Sequence, residues 1–380
     1  LIQRNDELWV GARRNCGWKE KLERFWRSSF QGLSLAPNEE LAIDLGAANT
    51  RVFLPGEGVV VNEPSMIALN TESNKIAAVG QEARALARRQ PREIRVARPV
   101  KDGVIADCEA AGQMLSQFIS RVLTHRGPAS LSLLICVPAD ITPLEQRAYE
   151  NAAGRAGAGK VTLVEEPYAA AIGARLNLRA ARACMIVDLG AATTDVAVIS
   201  GGGMLHASTR RVGGSEIDRS IARYLQLERA LEVSEETAEE IKIKLGGVNT
   251  LRDSRPMAVR GRNLRTGLPE EITVRSEEIH PLIQPALRVI KQHVRAALGE
   301  IPTEASVDLL DSGITLSGGL AQLPGLAEDI HQELGLSVRV APDPMLSAAL
   351  GAGRLLEQES HVSTQEAMKE QESAGWRASS

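Results

Sequence analysis

Asp44 and Asp188 hold the same place in two copies of one pattern. The first copy reads Ile43-Asp44-Leu45-Gly46-Ala47-Ala48-Asn49-Thr50, and the second reads Val187-Asp188-Leu189-Gly190-Ala191-Ala192-Thr193-Thr194. In each, a carboxylate at the end of an apolar run precedes a turn of small residues. An alternating run follows, Arg51-Val52-Phe53-Leu54 in one case and Asp195-Val196-Ala197-Val198-Ile199 in the other. A tight turn of small residues aims successive backbone N–H groups into one concavity, which holds phosphate oxygens without a side-chain cation. A carboxylate at the end of a buried strand is costly unless something pairs with it. Magnesium, which keeps several waters and takes one or two carboxylates plus substrate phosphates, suits that place. One such Asp alone reads as a turn cap. Two in matching contexts point to a metal–phosphate site clamped between two halves.

The elements that must position these residues follow from the pattern. An apolar run, a Gly turn and a resumed period of two predict a β-hairpin. Two such hairpins 144 positions apart predict a duplicated domain. Around them, strand-like runs at Leu41–Leu45, Val59–Val61, Leu133–Val137, Val161–Val164, Met185–Asp188 and Ile314–Ser317 alternate with helical stretches. The helical stretches are Ala110–Leu123, Pro143–Ala156, Tyr168–Leu176, Glu216–Leu227, Ala238–Leu245, Pro281–Leu298 and Gly325–Leu334. Such alternation predicts an α/β fold. Residues 248–275, rich in Arg, Gly and short alternating runs, predict a small inserted sheet. The organisation expected is an N-terminal extension over 1–40, one lobe over 41–180, and a second over 181–356 with an insertion at about 216–275. The polar stretch 357–380 is expected to be disordered.

One motif misleads. Gly154-Arg155-Ala156-Gly157-Ala158-Gly159-Lys160 fits most of a Walker A loop, but Val161 stands where the Mg²⁺-binding hydroxyl belongs. A P-loop also leaves a strand and opens a helix. Here a helical stretch comes first and a strand follows, so the segment reads as a helix end and a turn.

At 380 residues the chain has room for two domains. A net charge of −4, with few aromatic residues to stack on bases, argues against nucleic acid as a partner. Cys16, Cys108, Cys136 and Cys184 are far apart and form no Cys-x-x-Cys pair, which argues against a disulfide framework or a zinc site and fits a reducing cytoplasm. No apolar run reaches the roughly 18 residues of a membrane span. The aromatic residues are nevertheless clustered: three of the four tryptophans lie in the first 40 residues. Trp18, Leu22, Phe25, Trp26, Phe30 and Leu33 form one stripe at helical spacing, backed by Lys19, Lys21, Arg24 and Arg27. That pattern suits a helix lying in a membrane interface, and equally a helix docked on its own domain.

Beyond these features, the residues resemble the MreB family of bacterial actins. The resemblance runs from about Leu41 to Leu356. It is carried by the first hairpin, by Val61-Asn62-Glu63-Pro64-Ser65 and by Arg98-Pro99-Val100-Lys101-Asp102-Gly103-Val104-Ile105-Ala106-Asp107. Cys136-Val137-Pro138, Glu165-Glu166-Pro167, Arg211-Val212-Gly213-Gly214 and Thr237-Ala238-Glu239-Glu240-Ile241-Lys242 add to it. It implies an actin-like two-lobed ATPase fold, with duplicated RNase H-like domains and small inserted subdomains around ATP and Mg²⁺. It further implies homopolymer filaments at the inner face of the cytoplasmic membrane, working with cell-wall elongation proteins to maintain rod shape, and a slow ATPase coupled to polymerisation.

Carried over by position, Asp44 and Asp188 would hold Mg²⁺ through water. Gly46, Ala47, Ala48 and Asn49, with Gly190, Ala191, Ala192 and Thr193, would cradle the phosphates. Glu145 matches the family's water-activating glutamate, and Thr193 and Thr194 would position the γ-phosphate or that water. Gly214, Glu239, Glu240 and Lys242 would lie near the nucleoside, with Ser317, Gly318, Gly319 and Leu320 closing the other side. The chain departs from the family in carrying Ala47 for a Thr, Ala191 and Ala192 for two glycines, and Leu320 for a third. Each added Cβ limits the backbone, most where φ must be positive, so hydrolysis is expected to be slower than in a typical member. Residues 124–130 lack the bulky apolar side chains of the family's usual membrane loop, so the resemblance favours membrane attachment through Trp18, Leu22, Phe25, Trp26 and Phe30. The alternative within this frame is a hydrolysis-poor paralogue that modulates or specialises an actin-like filament.

Overall fold

The computed structural model describes residues 39–89, 91–123, 131–248 and 254–358. The aromatic stripe from Trp18 to Leu33, the connection 124–130 and residues 359–380 lie outside the described residues.

Two five-stranded sheets share one topology. In the first, the strands Glu39–Leu45, Asn49–Leu54 and Gly58–Pro64 form an antiparallel meander. Leu131–Val137 then adds parallel to Glu39–Leu45, and Ala158–Glu165 parallel to Leu131–Val137. In the second sheet Cys184–Leu189, Thr194–Ser200 and Gly203–Arg210 form the meander, with Ile314–Ser317 and Val338–Val340 added in parallel. The duplication read from the two hairpins is thus a duplication of whole sheets.

The central strands are apolar almost throughout because both faces are covered. Leu41, Ile43 and Leu45 face a core that includes Met114, Leu115 and Phe118 of the helix Cys108–Val122. Ala42, on the opposite face, packs in a third cluster with Phe53, Ile186, Ala197, Ala170 and Ala352. That cluster lies between the two sheets. It includes Ala169, Ala170 and Ala171 of the helix Glu166–Gly173 and Ala348 and Ala352 of the helix 347–358, small side chains that let the two halves approach closely. Burial of apolar surface on both faces of each sheet is the main stabilising term.

Local signals set the ends of the helices near the cleft. Thr142 caps Pro143–Arg155, whose proline at the first turn and Glu145 at the third position complete a capping box. Ser234 caps Glu235–Leu245, and Asp107 caps Cys108–Val122. The Walker-like segment is a helix end and a turn, with Gly157 at φ +98° leading into the strand Ala158–Glu165.

Two features extend the sequence reading. The first half carries its own small sheet, Ile67–Asn70, Ile76–Val79 and Ile94–Ala97, with the helix Gly80–Arg89. The second half carries Leu231–Glu232, Pro256–Asn263 and Pro269–Arg275. The final helix continues to residue 358, past the expected start of the polar tail at 357. Among the described residues no helix is long and apolar enough to cross a membrane.

Candidate functional site

Both hairpin turns line one cleft of about 350 Å³ between the halves. Each turn is braced from behind. Gly46 N–H donates to the Asn49 carbonyl at 3.1 Å, and the Ser65 hydroxyl donates to the Gly46 carbonyl at 2.6 Å. In the second turn Gly190 N–H donates to the Thr193 carbonyl at 2.9 Å. Gly214 and Ser215 N–H donate to the carbonyls of Gly190 and Ala191 at 3.1 and 2.8 Å. With the carbonyls engaged in this way, the N–H groups of Ala47, Ala48, Ala191 and Ala192 find no acceptor among the described residues. Amides left unpaired at the wall of a cleft attract an anion.

The cleft floor is crowded with carboxylates. Asp44 and Asp188, 3% and 5% exposed, line it with the half-buried Glu166, and Asp195, 1% exposed and outside the lining, stands opposite Asp188 on the return strand. Burial is the main cause that raises Asp188 to about 6 and Asp195 to about 7. Glu166 is pushed well above the usual carboxylate range, first by burial and then by the charges of Asp188 and Asp44. The two hairpins have the same register, with Asp44 opposite Arg51 and Asp188 opposite Asp195. Only the first supplies a cation: Arg51 Nη1 lies 2.6 Å from Asp44 Oδ2.

Most residues expected at the site line this cleft: Asp44, Gly46, Ala47, Ala48, Asn49, Asp188, Gly190, Ala191, Ala192, Thr193, Gly214, Glu239, Lys242, Gly318, Gly319 and Leu320. Lys242 donates to Asp218 at 2.9 Å and to the Gly214 carbonyl at 3.1 Å, so its charge is already engaged. Four expected residues are absent from the lining. Thr194 is fully buried and donates to the Val212 carbonyl at 2.9 Å. Ser317 sits behind the surface and donates to Asp188 Oδ1 at 2.7 Å, orienting that carboxylate. Glu240 points to solvent and pairs with Lys244.

Glu145 is the fourth. Its Oε2 accepts from Thr142 N–H and Oγ1 at 2.8 and 2.9 Å, and its Oε1 accepts from Arg211 at 2.5 Å. The Thr142 backbone bond is the largest of the effects that hold its pKa below the usual range, with Thr142 Oγ1 and Arg211 adding to it. The requirements of capping a helix and bridging the halves thus occupy the carboxylate expected to handle water.

Sequence reasoning did not pick out Arg51, Glu166 or Asp195. A signal existed for two of them: Arg51 and Asp195 each stand seven residues after the repeated Asp, with the same offset between copies as the aspartates themselves.

The replaced glycines impose no strain. Ala191, Ala192 and Leu320 all avoid positive φ, as does Ala47, which stands for a Thr, and Leu320 packs in the core of the second half. In the third turn the left-handed conformation falls on Gly318, at φ +82°, where a Cβ would also collide with the Leu189 backbone. The strain that motivated an expectation of slow hydrolysis is absent.

Mg²⁺ and a polyphosphate fit what is present. Hard oxygen donors at Asp44 and Asp188 line the same cleft as amides without acceptors. Among the described residues no group of three or more His, Cys, Asp or Glu side chains could hold a metal alone. A cation there would need phosphate oxygens and water to complete its shell, which is the habit of magnesium.

The family model described as MreB/Mbl protein matches residues 38–364. The cell shape-determining protein Mbl of Bacillus subtilis is 40% identical over 318 residues, covering 84% of this chain and 96% of Mbl. The cell shape-determining protein MreB of Escherichia coli is 40% identical over 325 residues, covering 84% and 94%. Among solved structures, MreB5 of Spiroplasma citri bound to ADP superposes with a TM-score of 0.80 at 31% identity. It covers 87% of this chain and 99% of that one, and its complex with AMPPNP matches equally well.

Two outcomes follow from the site geometry. Gly318→Ala should cost about 1–3 kcal/mol in urea unfolding, whereas Gly319→Ala, with open space around its Cβ, should stay within about 0.5 kcal/mol. The second concerns pH. Native Asp195 binds its proton up to about 7 while the unfolded chain releases it near 3.8, so without ligand stability falls as pH rises through that window. Asp195→Asn keeps the Oδ1 that accepts from Ala139 N–H and Thr209 Oγ1. By calorimetry the variant should gain on the wild type between pH 5 and 8, by on the order of 2 kcal/mol. A constant difference across that range would contradict it.

Proposed function

This chain belongs to the MreB/Mbl family, and from that premise we propose that it is an ATP-binding bacterial actin. In this reading it forms filaments at the inner face of the cytoplasmic membrane and directs cell-wall synthesis and rod shape. Its curated relatives are cell shape-determining proteins. The observation that carries the nucleotide reading is the pair of matched hairpins, whose aspartates and acceptor-less amides line one cleft. The complexes of MreB5 with ADP and AMPPNP support it.

In this reading the amides of residues 47–49 and 190–193 hold the phosphates, and Asp44 and Asp188 hold a hydrated Mg²⁺. The ion, when bound, neutralises charge on the phosphate oxygens. Gly318, Gly319 and Leu320 flank the nucleoside on one side, with Glu239 and Lys242 on the other. Thr193, which lines the cleft, would orient the terminal phosphate or a water. Closure over the nucleotide brings the halves into the arrangement that self-associates.

Membrane attachment is assigned to Trp18, Leu22, Phe25, Trp26 and Phe30, on the strength of their helical spacing. A single interfacial helix binds reversibly, and many in one filament bind by avidity.

The position of Glu145 favours a second reading, a hydrolysis-poor paralogue that specialises such a filament, because its carboxylate is occupied by Thr142 and Arg211. Phosphate release measured alongside polymer mass separates the two.

Electron microscopy and co-sedimentation of the full chain on anionic vesicles, with and without ATP and Mg²⁺, test the main reading. Filaments on lipid that require nucleotide are expected, and deletion of residues 1–34 should abolish pelleting with vesicles. Absence of polymer under every condition, or undiminished lipid binding by the deletion, would contradict it.

A further inference from the structure

Arg51 has no role in the reading above, yet it lies in the cleft. Its strand, Asn49–Leu54, places it directly opposite Asp44, and its side chain is 12% exposed. Nη1 donates to Asp44 Oδ2 at 2.6 Å. Nε is buried and has no hydrogen-bond partner among the described residues. A guanidinium presents its N–H groups in a rigid fork matched to carboxylate and phosphate oxygens. Here part of that fork is used and a buried donor is left over. An unsatisfied buried donor is unfavourable, so an acceptor that reached it would be bound with that cost recovered.

The charges around it say what kind of acceptor is missing. Asp44, Asp188 and Glu166 line the cleft with Arg51, while Lys242, the other cation in that lining, is committed to Asp218 and the Gly214 carbonyl. A di- or triphosphate entering this floor meets carboxylates of its own sign. The amides of the two turns supply dipoles, and Arg51 supplies a full positive charge.

We infer that Arg51 is a phosphate-binding residue of this cleft, a resident cation that makes nucleotide binding partly independent of Mg²⁺ and competes with the metal for Asp44. This rests on the nucleotide reading above and deepens it. In the unliganded protein the guanidinium neutralises Asp44. When polyphosphate enters, its free N–H groups turn to phosphate oxygens, and Asp44 is released toward the hydrated ion. A buried ion pair is poised for such an exchange because removing one partner without replacing it would be strongly unfavourable.

The test is calorimetric titration of the full chain with ADP and with adenosine, each in Mg²⁺ and in EDTA. A charge-assisted hydrogen bond is worth about 10- to 100-fold in affinity. Wild-type protein should therefore bind ADP in EDTA within about 30-fold of its affinity in Mg²⁺. Arg51→Leu should lose at least about 10-fold in EDTA and much less in Mg²⁺. Adenosine binding should be unchanged, and half-saturation by Mg²⁺ in the presence of ADP should shift to lower concentration, because a loss larger in EDTA than in Mg²⁺ means that the ion gains more by binding to the variant's complex. Arg51→Lys, which keeps the charge but not the fork, should fall between the two and provides a folded comparison if the leucine variant does not fold. Equal ADP binding by wild type and Arg51→Leu in EDTA would overturn the inference, as would a wild-type affinity that collapses without Mg²⁺. Failure of the wild type to bind ADP even with Mg²⁺ would instead overturn the nucleotide reading itself.

Discussion

Carboxylates that face one another across a cleft repel, and this structure places three of them in one lining with a fourth, Asp195, buried opposite Asp188. Asp44, Glu166, Asp188 and Asp195 are held there by backbone: the aspartates on paired strands, Glu166 at the start of a helix. None can move away without disrupting a sheet or a helix. The protein manages the repulsion in two ways that the geometry shows: hydroxyl and amide donors to Asp188 and Asp195, and the Arg51 guanidinium on Asp44, while burial and the neighbouring charges push Glu166 well above the usual carboxylate range. Each remedy is partial, so the floor keeps a standing affinity for cations. The turns that flank it, with their unaccepted N–H groups, have a standing affinity for anions. A metal-bound polyphosphate satisfies both at once, and little else of that size does.

The rest of the fold joins the halves more firmly at one end of the cleft than at the other. At the base, the two sheets meet through alanines of Glu166–Gly173 and of the helix 347–358, a close apolar contact. At the mouth, the halves touch through ion pairs: Arg84 with Glu239 at 3.6 Å, and Arg98 with Glu235 and Glu236 at 3.6 and 3.7 Å. Long, partly exposed pairs of this kind contribute about 0–1 kcal/mol each. The apolar packing at the base is therefore the stronger of the two contacts between the halves. Glu145 and Arg211 add a shorter bridge between the halves, made by the carboxylate that would otherwise be free for water.

Much of this was legible in the residues. The duplicated Asp-turn pattern disclosed two equivalent hairpins because a strand, a turn and its return are local, and local preferences survive folding. The rejection of Gly154–Lys160 as a phosphate loop rested on the same local logic, and the helix end and turn at Gly157 agree with it. What was not legible depended on distance or on competition. The small sheet from Ile67 to Ala97 is made of four-residue strands too short to show periodicity. Glu145 was placed by analogy, and only the structure reveals that Thr142 and Arg211 already occupy it. Ser317 and Thr194 lie on the right strands, but their hydroxyls serve Asp188 and the Val212 carbonyl. The alanines in the turns looked costly by composition, yet the positive φ falls on Gly318 instead. Arg51 escaped notice because the first hairpin was read for its turn and its small residues, not for the residue facing Asp44.

The claim beneath all of this is that the acidic floor and the two turns form one receptor for a metal-bound polyphosphate. The most direct measurement is an anomalous difference map from crystals grown with Mn²⁺ and a non-hydrolysable ATP analogue. The account predicts the analogue's phosphates between residues 46–49 and 190–193, with a manganese peak on the side of Asp44 and Asp188. An empty cleft, or a metal and nucleotide bound away from both aspartates, would contradict it.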